Sequence, residues 1–223
     1  MTAGFSTRLP GKCNHDMRLV KKHPLAIRWF HWINFPLLFL MIWSGILIYW
    51  AWPKYGFFAI EQTTWKKLGV NNRLAEGMAL HFFFMWFFAV NGVLYVLYTW
   101  ISGEWRELVP NRHSLREAWQ VVLHDLRIRK EPLPPRKFNG AQQIAYTSVV
   151  LMGVGSLLTG LAIYKPVQFA WLVSLFGGYQ TARLIHFWLT VGYVLFFFVH
   201  VAQVVKAGWN NFRAMVIGYE VHK

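Results

Sequence analysis

Cysteine is almost absent from the chain, which has a single one, Cys13, among 223 residues. One cysteine cannot form an internal disulfide, a four-cysteine iron–sulfur or zinc site, or the Cys-x-x-Cys-His motif that attaches haem covalently. Any metal must therefore be held by other side chains. The nine histidines are the available ligands.

Charged residues are also scarce, at 14% of the chain, whereas hydrophobic residues make up 56%. Soluble domains carry about 25% charged residues, so this composition argues against one. Charge is missing altogether from four stretches, at 30–52, 78–101, 141–163 and 184–205. A bilayer core about 30 Å thick needs about 20 helical residues to cross it. We therefore expect an all-α membrane protein whose residues 1–223 form a single domain around a bundle of four transmembrane helices.

Acidic residues are few as well, with 9 Asp and Glu against 23 Lys and Arg. Of these basic residues, 17 lie before the first span, between the second and third, or after the fourth, and 6 lie in the other connections. The positive-inside rule then predicts that the tails 1–29 and 206–223 are both cytoplasmic. Because the basic residues flank spans and form no patch interleaved with aromatic residues, we expect the lipid bilayer as a partner and no nucleic acid.

Two connections carry apolar residues without being long enough to cross a bilayer. Residues 112–130 have apolar side chains at helical spacing between basic positions, which predicts an amphipathic helix on the cytoplasmic membrane surface. Residues 166–179 contain a shorter apolar group between the third and fourth spans. We predict that this segment lies at the outer membrane surface.

Four of the histidines lie within or at the ends of the predicted spans: His31, His81, His186 and His200. An ionisable side chain at membrane depth is costly when unpaired, so it is a candidate functional residue. A hydrogen bond between helices is the ordinary alternative for any one of them. The other five histidines lie in tails or connections, where solvated side chains are expected.

The spacing of the four histidines favours a shared function. His186 and His200 are 14 residues apart, which at about 100° per residue is about 40° short of four turns and a rise of about 21 Å. They share one helix face at two depths. The predicted topology places His81 beside His186 near the outer surface and His31 beside His200 near the inner surface. Two such pairs are what two haem groups with bis-histidine ligation require, so we predict two haem b.

Two glycines and two arginines fit this interpretation. Gly45 follows His31 by 14 residues and Gly92 follows His81 by 11, so each lies on its histidine's face at the depth of the other pair. A missing side chain there would make room for haem, although close packing of helices is the alternative. Arg28 and Arg183 lie at span ends, where haem propionates would emerge. Snorkelling explains both arginines equally well.

Other functions for membrane histidines fit less well. Structural zinc needs four ligands that converge at one depth, whereas these histidines converge two by two. A proton relay would lack a carboxylate, because no span contains one. A haem-free transporter or anchor, with histidines along a polar path, is the less favoured alternative from another class.

A family resemblance rests on residues 28–32 (Arg-Trp-Phe-His-Trp), on residues 182–188 (Ala-Arg-Leu-Ile-His-Phe-Trp), on the histidine that opens the second span and on His200. These segments resemble the di-haem cytochrome b subunits of formate dehydrogenase, nickel–iron hydrogenase and thiosulfate reductase, over roughly residues 25–206. The resemblance implies the same histidine pairing and a place in the bacterial inner membrane. It also implies a periplasm-facing catalytic or iron–sulfur subunit as partner, and electron transfer to or from quinone.

The same resemblance implies a quinone site. Residues 138–142 (Phe-Asn-Gly-Ala-Gln) look like the family's aromatic-Asn-x-x-Gln segment, which would place Asn139, Gly140 and Gln142 beside the inner haem. An amide at a helix start can donate a hydrogen bond to a quinone carbonyl, and a plain helix N-cap is the alternative for Asn139. A cytochrome that stands alone and takes electrons from a small outer donor is the alternative to a subunit of a larger complex.

Overall fold

The computed structural model describes residues 18–51, 66–67, 69–70, 72–125, 128 and 138–222. In chain order, the elements of these ranges used below are β1 (Arg18–Lys21), α1 (Leu25–Tyr49), α2 (Leu74–Ser102), α3 (Trp105–Leu108), α4 (Ser114–Asp125), α5 (Gly140–Tyr164), α6 (Ala170–Leu175), α7 (Tyr179–Ala207), α8 (Trp209–Ile217) and β2 (Tyr219–His222).

Four helices, α1, α2, α5 and α7, are long and apolar enough to cross a membrane. Helix α1 packs against α2, and α5 packs against α7. Large apolar side chains such as Trp86, Leu151 and Phe198 remain exposed on the outside of these helices. Lipid can cover such a surface, whereas its exposure to water would cost free energy. The predicted all-α membrane bundle of four helices is confirmed.

The helices do not coincide with the charge-free stretches. Helices α1, α2 and α7 begin earlier and include Arg28, Glu76 and Arg183, respectively. Charged side chains at membrane edges are compatible with a helix, so loss of charge marks the apolar part of a helix and not its end. Helix α1 ends at Tyr49. Residue Trp52, the predicted bound, lies outside the described residues.

Helix α4 falls within the predicted amphipathic segment and lies against α5. The Ser114 hydroxyl donates to Oε1 of Gln143 at 2.7 Å, and Nε2 of Gln143 donates to the Glu107 carbonyl at 2.9 Å. On the other side of α4, Leu115 and Trp119 are exposed. An apolar face left open beside membrane-spanning helices is typical of a helix that lies at a membrane surface.

The far end of α4 is tied to the end of α7. The Asp125 carboxylate accepts from Nε2 of Gln203 at 2.7 Å and from the ammonium of Lys206. Burial by itself would raise the pKa of Asp125, but these hydrogen bonds outweigh it and hold the pKa below its ordinary value of 3.8. The contact joins α4 to the bundle at both ends of the helix.

The segment between α5 and α7 contains the short helix α6, within the predicted interfacial residues 166–179. Leu172 is buried with Ala162 and Ala182, which lie near the facing ends of α5 and α7. Trp171 and Leu175 point outward and are exposed. The segment is thus anchored by one apolar side chain and leaves others open at this end of the bundle.

The two tails, which were predicted only as cytoplasmic, form a structure of their own. Strands β1 and β2 pair antiparallel, with Arg18 opposite His222 and Lys21 opposite Tyr219. The Lys22 ammonium lies 2.9 Å from the Glu220 carboxylate. The Asn210 side chain donates to the Val221 carbonyl at 2.9 Å and accepts from the Val221 N–H at 3.1 Å. We call β1, β2 and α8 together the terminal clasp.

The terminal clasp lies against the first turns of α1. The Arg28 guanidinium donates to the Val216 carbonyl at 2.6 Å, and the Trp32 indole donates to the Met215 carbonyl at 3.1 Å. Helix α8 ends at Ile217 and is capped by Gly218, whose φ of +92° is costly for any residue with a side chain. This turn brings β2 back to β1, so both tails lie at one end of the bundle.

Candidate cofactor site: two histidine pairs

The four membrane histidines come together two by two. The rings of His31 and His200, from α1 and α7, have centroids 6.0 Å apart. The rings of His81 and His186, from α2 and α7, have centroids 6.3 Å apart. Two imidazoles that bind one metal from opposite sides, at about 2 Å each, have ring centres about 6 Å apart. Both pairs therefore have the spacing of axial ligands to one metal ion.

The composition of the pairs favours haem over a bare ion. Within the ranges that the structure describes, no group of three or more His, Cys, Asp or Glu side chains could hold a metal. A structural zinc ion needs four protein ligands, which neither pair supplies from these residues. Haem needs only two axial ligands, because its macrocycle provides the other four. The donor set therefore fits haem.

The imidazole of His81 is held by a hydroxyl from the neighbouring helix. Nδ1 of His81 lies 2.9 Å from Oγ of Ser44, which is fully buried. The Ser44 hydroxyl already donates to the Leu40 carbonyl at 2.7 Å. With its hydrogen used in this way, the Ser44 oxygen is available as an acceptor, an arrangement in which His81 carries its proton on Nδ1. Nε2 is left unprotonated, which is the state that a metal ligand requires.

The imidazole of His186 is held in the same way from another helix. Its Nδ1 lies 2.8 Å from Oγ1 of Thr159, which is fully buried on α5. The Thr159 hydroxyl donates to the Gly155 carbonyl at 2.7 Å. The threonine oxygen is therefore an acceptor for Nδ1–H, and Nε2 of His186 carries the lone pair.

The second pair has different surroundings. Nδ1 of His31 is buried and has no hydrogen-bond partner within the described part of the chain. The ring of His200 stacks on Phe196, with centroids 5.6 Å apart and planes 13° apart, and Trp32 meets His31 edge to face at 5.2 Å. Aromatic packing holds these imidazoles, whereas hydroxyls hold the other two.

Only some of the glycines near the histidines would place a Cβ beside an imidazole. A Cβ on Gly45 would lie 3.7 Å from Cε1 of His81, and one on Gly160 would lie 3.5 Å from Cε1 of His186. At Gly92 a Cβ would meet nothing within 4 Å. Gly45 is therefore at the depth of the His81–His186 pair, as its spacing predicts. Gly153 and Gly155, on the other hand, face Tyr193 and Leu189 of α7, where they allow the two helices to pack closely.

The two arginines have local partners. Arg28 is part of the contact with the terminal clasp, and its Nε is buried without a partner in the described residues. Arg183 donates to the Gln180 side chain at 3.2 Å and lies 6.0 Å from the centre of the Tyr179 ring. The Nε–H of Arg28 is thus left for a ligand, and a role for either arginine in haem binding stays a prediction.

The predicted quinone residues form the start of α5. The Asn139 side chain accepts from the Gln142 N–H at 2.9 Å, and the Gln142 side chain accepts from the Asn139 N–H at 3.0 Å, which is a capping box. The buried Gly140 lies against Ser114 and Glu117 of α4, so a side chain there would collide with them. The capping box uses the carbonyl oxygens of both amides, and a quinone would have to bind their NH2 groups.

Ser44 and Thr159 were not predicted from the sequence. A hydroxyl in a membrane helix usually bonds to a carbonyl of its own helix, so it gives no signal by itself. Both residues, however, directly precede a glycine that faces a histidine, in the dipeptides Ser44-Gly45 and Thr159-Gly160. This repetition is the only sequence signal, and it does not tell which histidine each dipeptide faces.

Four apolar helices with imidazoles paired between them fit the class of membrane cytochromes b. The sequence profile of the prokaryotic cytochrome b561 family matches residues 22–218, and the chain belongs to this family. It is therefore a multi-pass membrane haem protein of electron transport, which confirms the resemblance to bacterial cytochrome b subunits. The chain is also 33% identical over 198 residues to a protein of Azospira oryzae named putative protein-methionine-sulfoxide reductase subunit YedZ1, covering 88% of this chain and 96% of the relative.

Proposed function

We propose that this protein is a di-haem membrane subunit that transfers electrons between an oxidoreductase outside the bacterial inner membrane and the quinone pool. The observation that carries the proposal is the pair of opposed histidines found at each of two positions along one bundle. Haem b held by these residues would supply one-electron redox chemistry. Because both axial positions would be taken by histidine, the pairs suit electron transfer and leave no place for a substrate on the metal.

The terminal clasp and the basic residues support the proposed orientation. The tails and the connection between α2 and α5 contain 17 of the 23 Lys and Arg residues, and such an excess marks cytoplasmic segments. Both tails meet at the end of the bundle that contains His31. On this topology, His31 and His200 lie toward the cytoplasm and His81 and His186 toward the periplasm.

The cytoplasmic end is where we place quinone chemistry. Asn139 and Gln142 lie at the start of α5, and Phe138 meets Tyr146 edge to face at 5.3 Å beside them. Amide N–H groups can donate to a quinone carbonyl, and aromatic edges can pack on a quinone ring. Gly140 contributes by allowing α4 to approach the start of α5 closely.

The name of the relative suggests the direction of electron flow. The Azospira protein is named as a subunit of a protein-methionine-sulfoxide reductase. A reductase consumes electrons, so a partner of this kind would draw them from quinol through the membrane subunit. We favour a periplasmic reductase as the partner over a hydrogenase or formate dehydrogenase, both of which deliver electrons to quinone.

The decisive experiment is a reduced-minus-oxidised spectrum with a haem-to-protein ratio on the purified, detergent-solubilised chain. We expect b-type absorbance and two haem groups per chain. The absence of b-type absorbance would refute the proposal and favour the haem-free transporter, and one haem per chain would refute its di-haem part. Co-purification from membranes then tests the partner: if the chain is recovered alone and reduces quinone with a small donor, it is a stand-alone cytochrome.

A further inference from the structure

We propose that Ser44 and Thr159 are positioning residues for the His81–His186 pair, and that their hydroxyls make this pair a stronger electron donor to iron than the His31–His200 pair. The inference rests on the proposed function, because it presumes that His81 and His186 bind haem. It concerns which nitrogen of each imidazole carries the proton and how each ring is oriented.

The same arrangement, a hydroxyl residue followed by a glycine, lies beside a histidine on two helices. In each dipeptide, the hydroxyl lies within 2.9 Å of Nδ1 and the following glycine lies beside Cε1 of the same ring. Ser44 and Gly45 belong to α1 and face His81 of α2. Thr159 and Gly160 belong to α5 and face His186 of α7. Each imidazole is thus fixed along its Nδ1–Cε1 edge by a helix other than its own.

The hydroxyl hydrogens of Ser44 and Thr159 already have acceptors within their own helices. Thr99 is also buried in a membrane helix, and its hydroxyl bonds to the carbonyls of Tyr95 and Val96 at 3.0 and 2.9 Å. Ser44 and Thr159 make the same two bonds within their own helices, to residues three and four positions earlier. Their hydrogens are therefore already used, and the histidine contact is an addition that needs the oxygen lone pair.

The consequence for the metal follows from general ligand chemistry. An acceptor on Nδ1–H fixes the tautomer and makes the other nitrogen more basic. A more basic ligand favours the oxidised, more highly charged iron, which lowers the reduction potential. His31 has no such acceptor among the described residues. We therefore expect the haem at His81 and His186 to have the lower potential of the two.

The test is a potentiometric titration of the purified holoprotein, with electron paramagnetic resonance spectra of the oxidised form. The variants are Ser44→Ala and Thr159→Val, with Thr99→Val as the matched control because that hydroxyl bonds to carbonyls of its own helix and to no imidazole among the described residues. We expect each of the two variants to shift the lower-potential wave upward and to change one low-spin signal. The higher-potential wave and the Thr99→Val titration should stay at the wild-type values.

A rescue variant separates positioning from folding. Thr159→Ser keeps the hydroxyl and should restore the wild-type wave, even if Thr159→Val loses the haem at this pair. The proposal is overturned if both waves stay unchanged in Ser44→Ala and Thr159→Val at full haem content, if Thr99→Val shifts the same wave equally, or if Thr159→Ser fails to restore it. A wild-type chain without haem would instead refute the proposed function.

Discussion

The two ends of the bundle hold their histidines by different means. Toward α6, the imidazoles of His81 and His186 each have a hydroxyl acceptor 2.8–2.9 Å from Nδ1. Toward the terminal clasp, His31 has a buried Nδ1 without a partner in the described residues, and His200 is held by the ring of Phe196. One end therefore holds its imidazoles through hydrogen bonds between helices, and the other holds them through aromatic packing.

Two histidine pairs of the same composition can therefore differ in chemistry. Hydrogen bonds to metal ligands set their basicity and orientation, whereas aromatic contacts mainly exclude water and limit ring motion. A membrane subunit that moves electrons between its two ends benefits from two different potentials.

Removing one histidine should remove one haem. His200→Ala leaves His31 without its opposite imidazole, so we expect about half of the haem to be lost, together with electron exchange with quinol, while the other haem stays reducible by a chemical reductant such as dithionite. His186→Ala should remove the other half. Haem content and redox titration measure both effects, and His113→Ala, outside the bundle core, is the control. Loss of both haem groups from a folded variant, or of neither, would contradict the pairing.

A side chain at Gly92 should exclude haem without disturbing the fold. A Cβ at this position meets nothing within 4 Å among the described residues, so there is room for the first atom of a side chain, which Gly92→Leu extends. If this space is part of the pocket at His31 and His200, we expect occupancy of that pair to fall several-fold. Gly153→Ala is the control, because a Cβ there would lie at an ordinary 3.6 Å from the Tyr193 hydroxyl. Full haem content in Gly92→Leu would show that the space faces lipid.

The terminal clasp should contribute stability to one end only. Asn210→Ala removes two hydrogen bonds to the backbone of Val221, which should lower the free energy of unfolding by about 1–2 kcal/mol. Thermal unfolding in detergent measures this change, with the exposed Gln180→Ala as the control. We expect the potential of the haem at His81 and His186 to stay unchanged. A shift there would mean that the two ends of the bundle are coupled.

The smallest effect should be the pH dependence from Asp125. Its pKa is lower in the folded protein than in the unfolded chain, so its contribution is fully present above the ordinary value of 3.8 and disappears as the pH falls through the folded value. Asp125→Asn should be slightly less stable than the wild type at pH 6, and the two should converge as the pH falls below 3.8 and through the folded pKa of Asp125. A stability difference that persists unchanged at low pH would contradict this role.

The sequence was enough to predict the spans and the histidine pairs, since both depend on regular helical geometry. Charge-free stretches locate membrane helices, and the 14-residue spacing of His186 and His200 fixes a face and two depths. The contacts of Ser44 and Thr159 with the histidines could not be predicted, because they depend on which helices are neighbours. Helix α1 packs on α2 and α5 on α7, and a single sequence does not encode that order in any local pattern.

The terminal clasp could not be predicted from the sequence for a related reason. Strands β1 and β2 have four residues each and lie near opposite ends of the described chain, and neither would be stable without the other. At the start of α5, the N-cap alternative for Asn139 is present in full as a capping box. That finding leaves quinone binding by the same residues a prediction, because a cap and a ligand can use different atoms of one amide.

The contact between Arg28 and Val216 can form only late in the synthesis of the chain. The two residues are 188 positions apart, so at about 5–20 residues per second the ribosome reaches Val216 about 10–40 s after Arg28. During that time the Arg28 guanidinium, at the start of α1, lacks the Val216 carbonyl as its acceptor. The clasp can therefore form only after all four membrane helices have been synthesised.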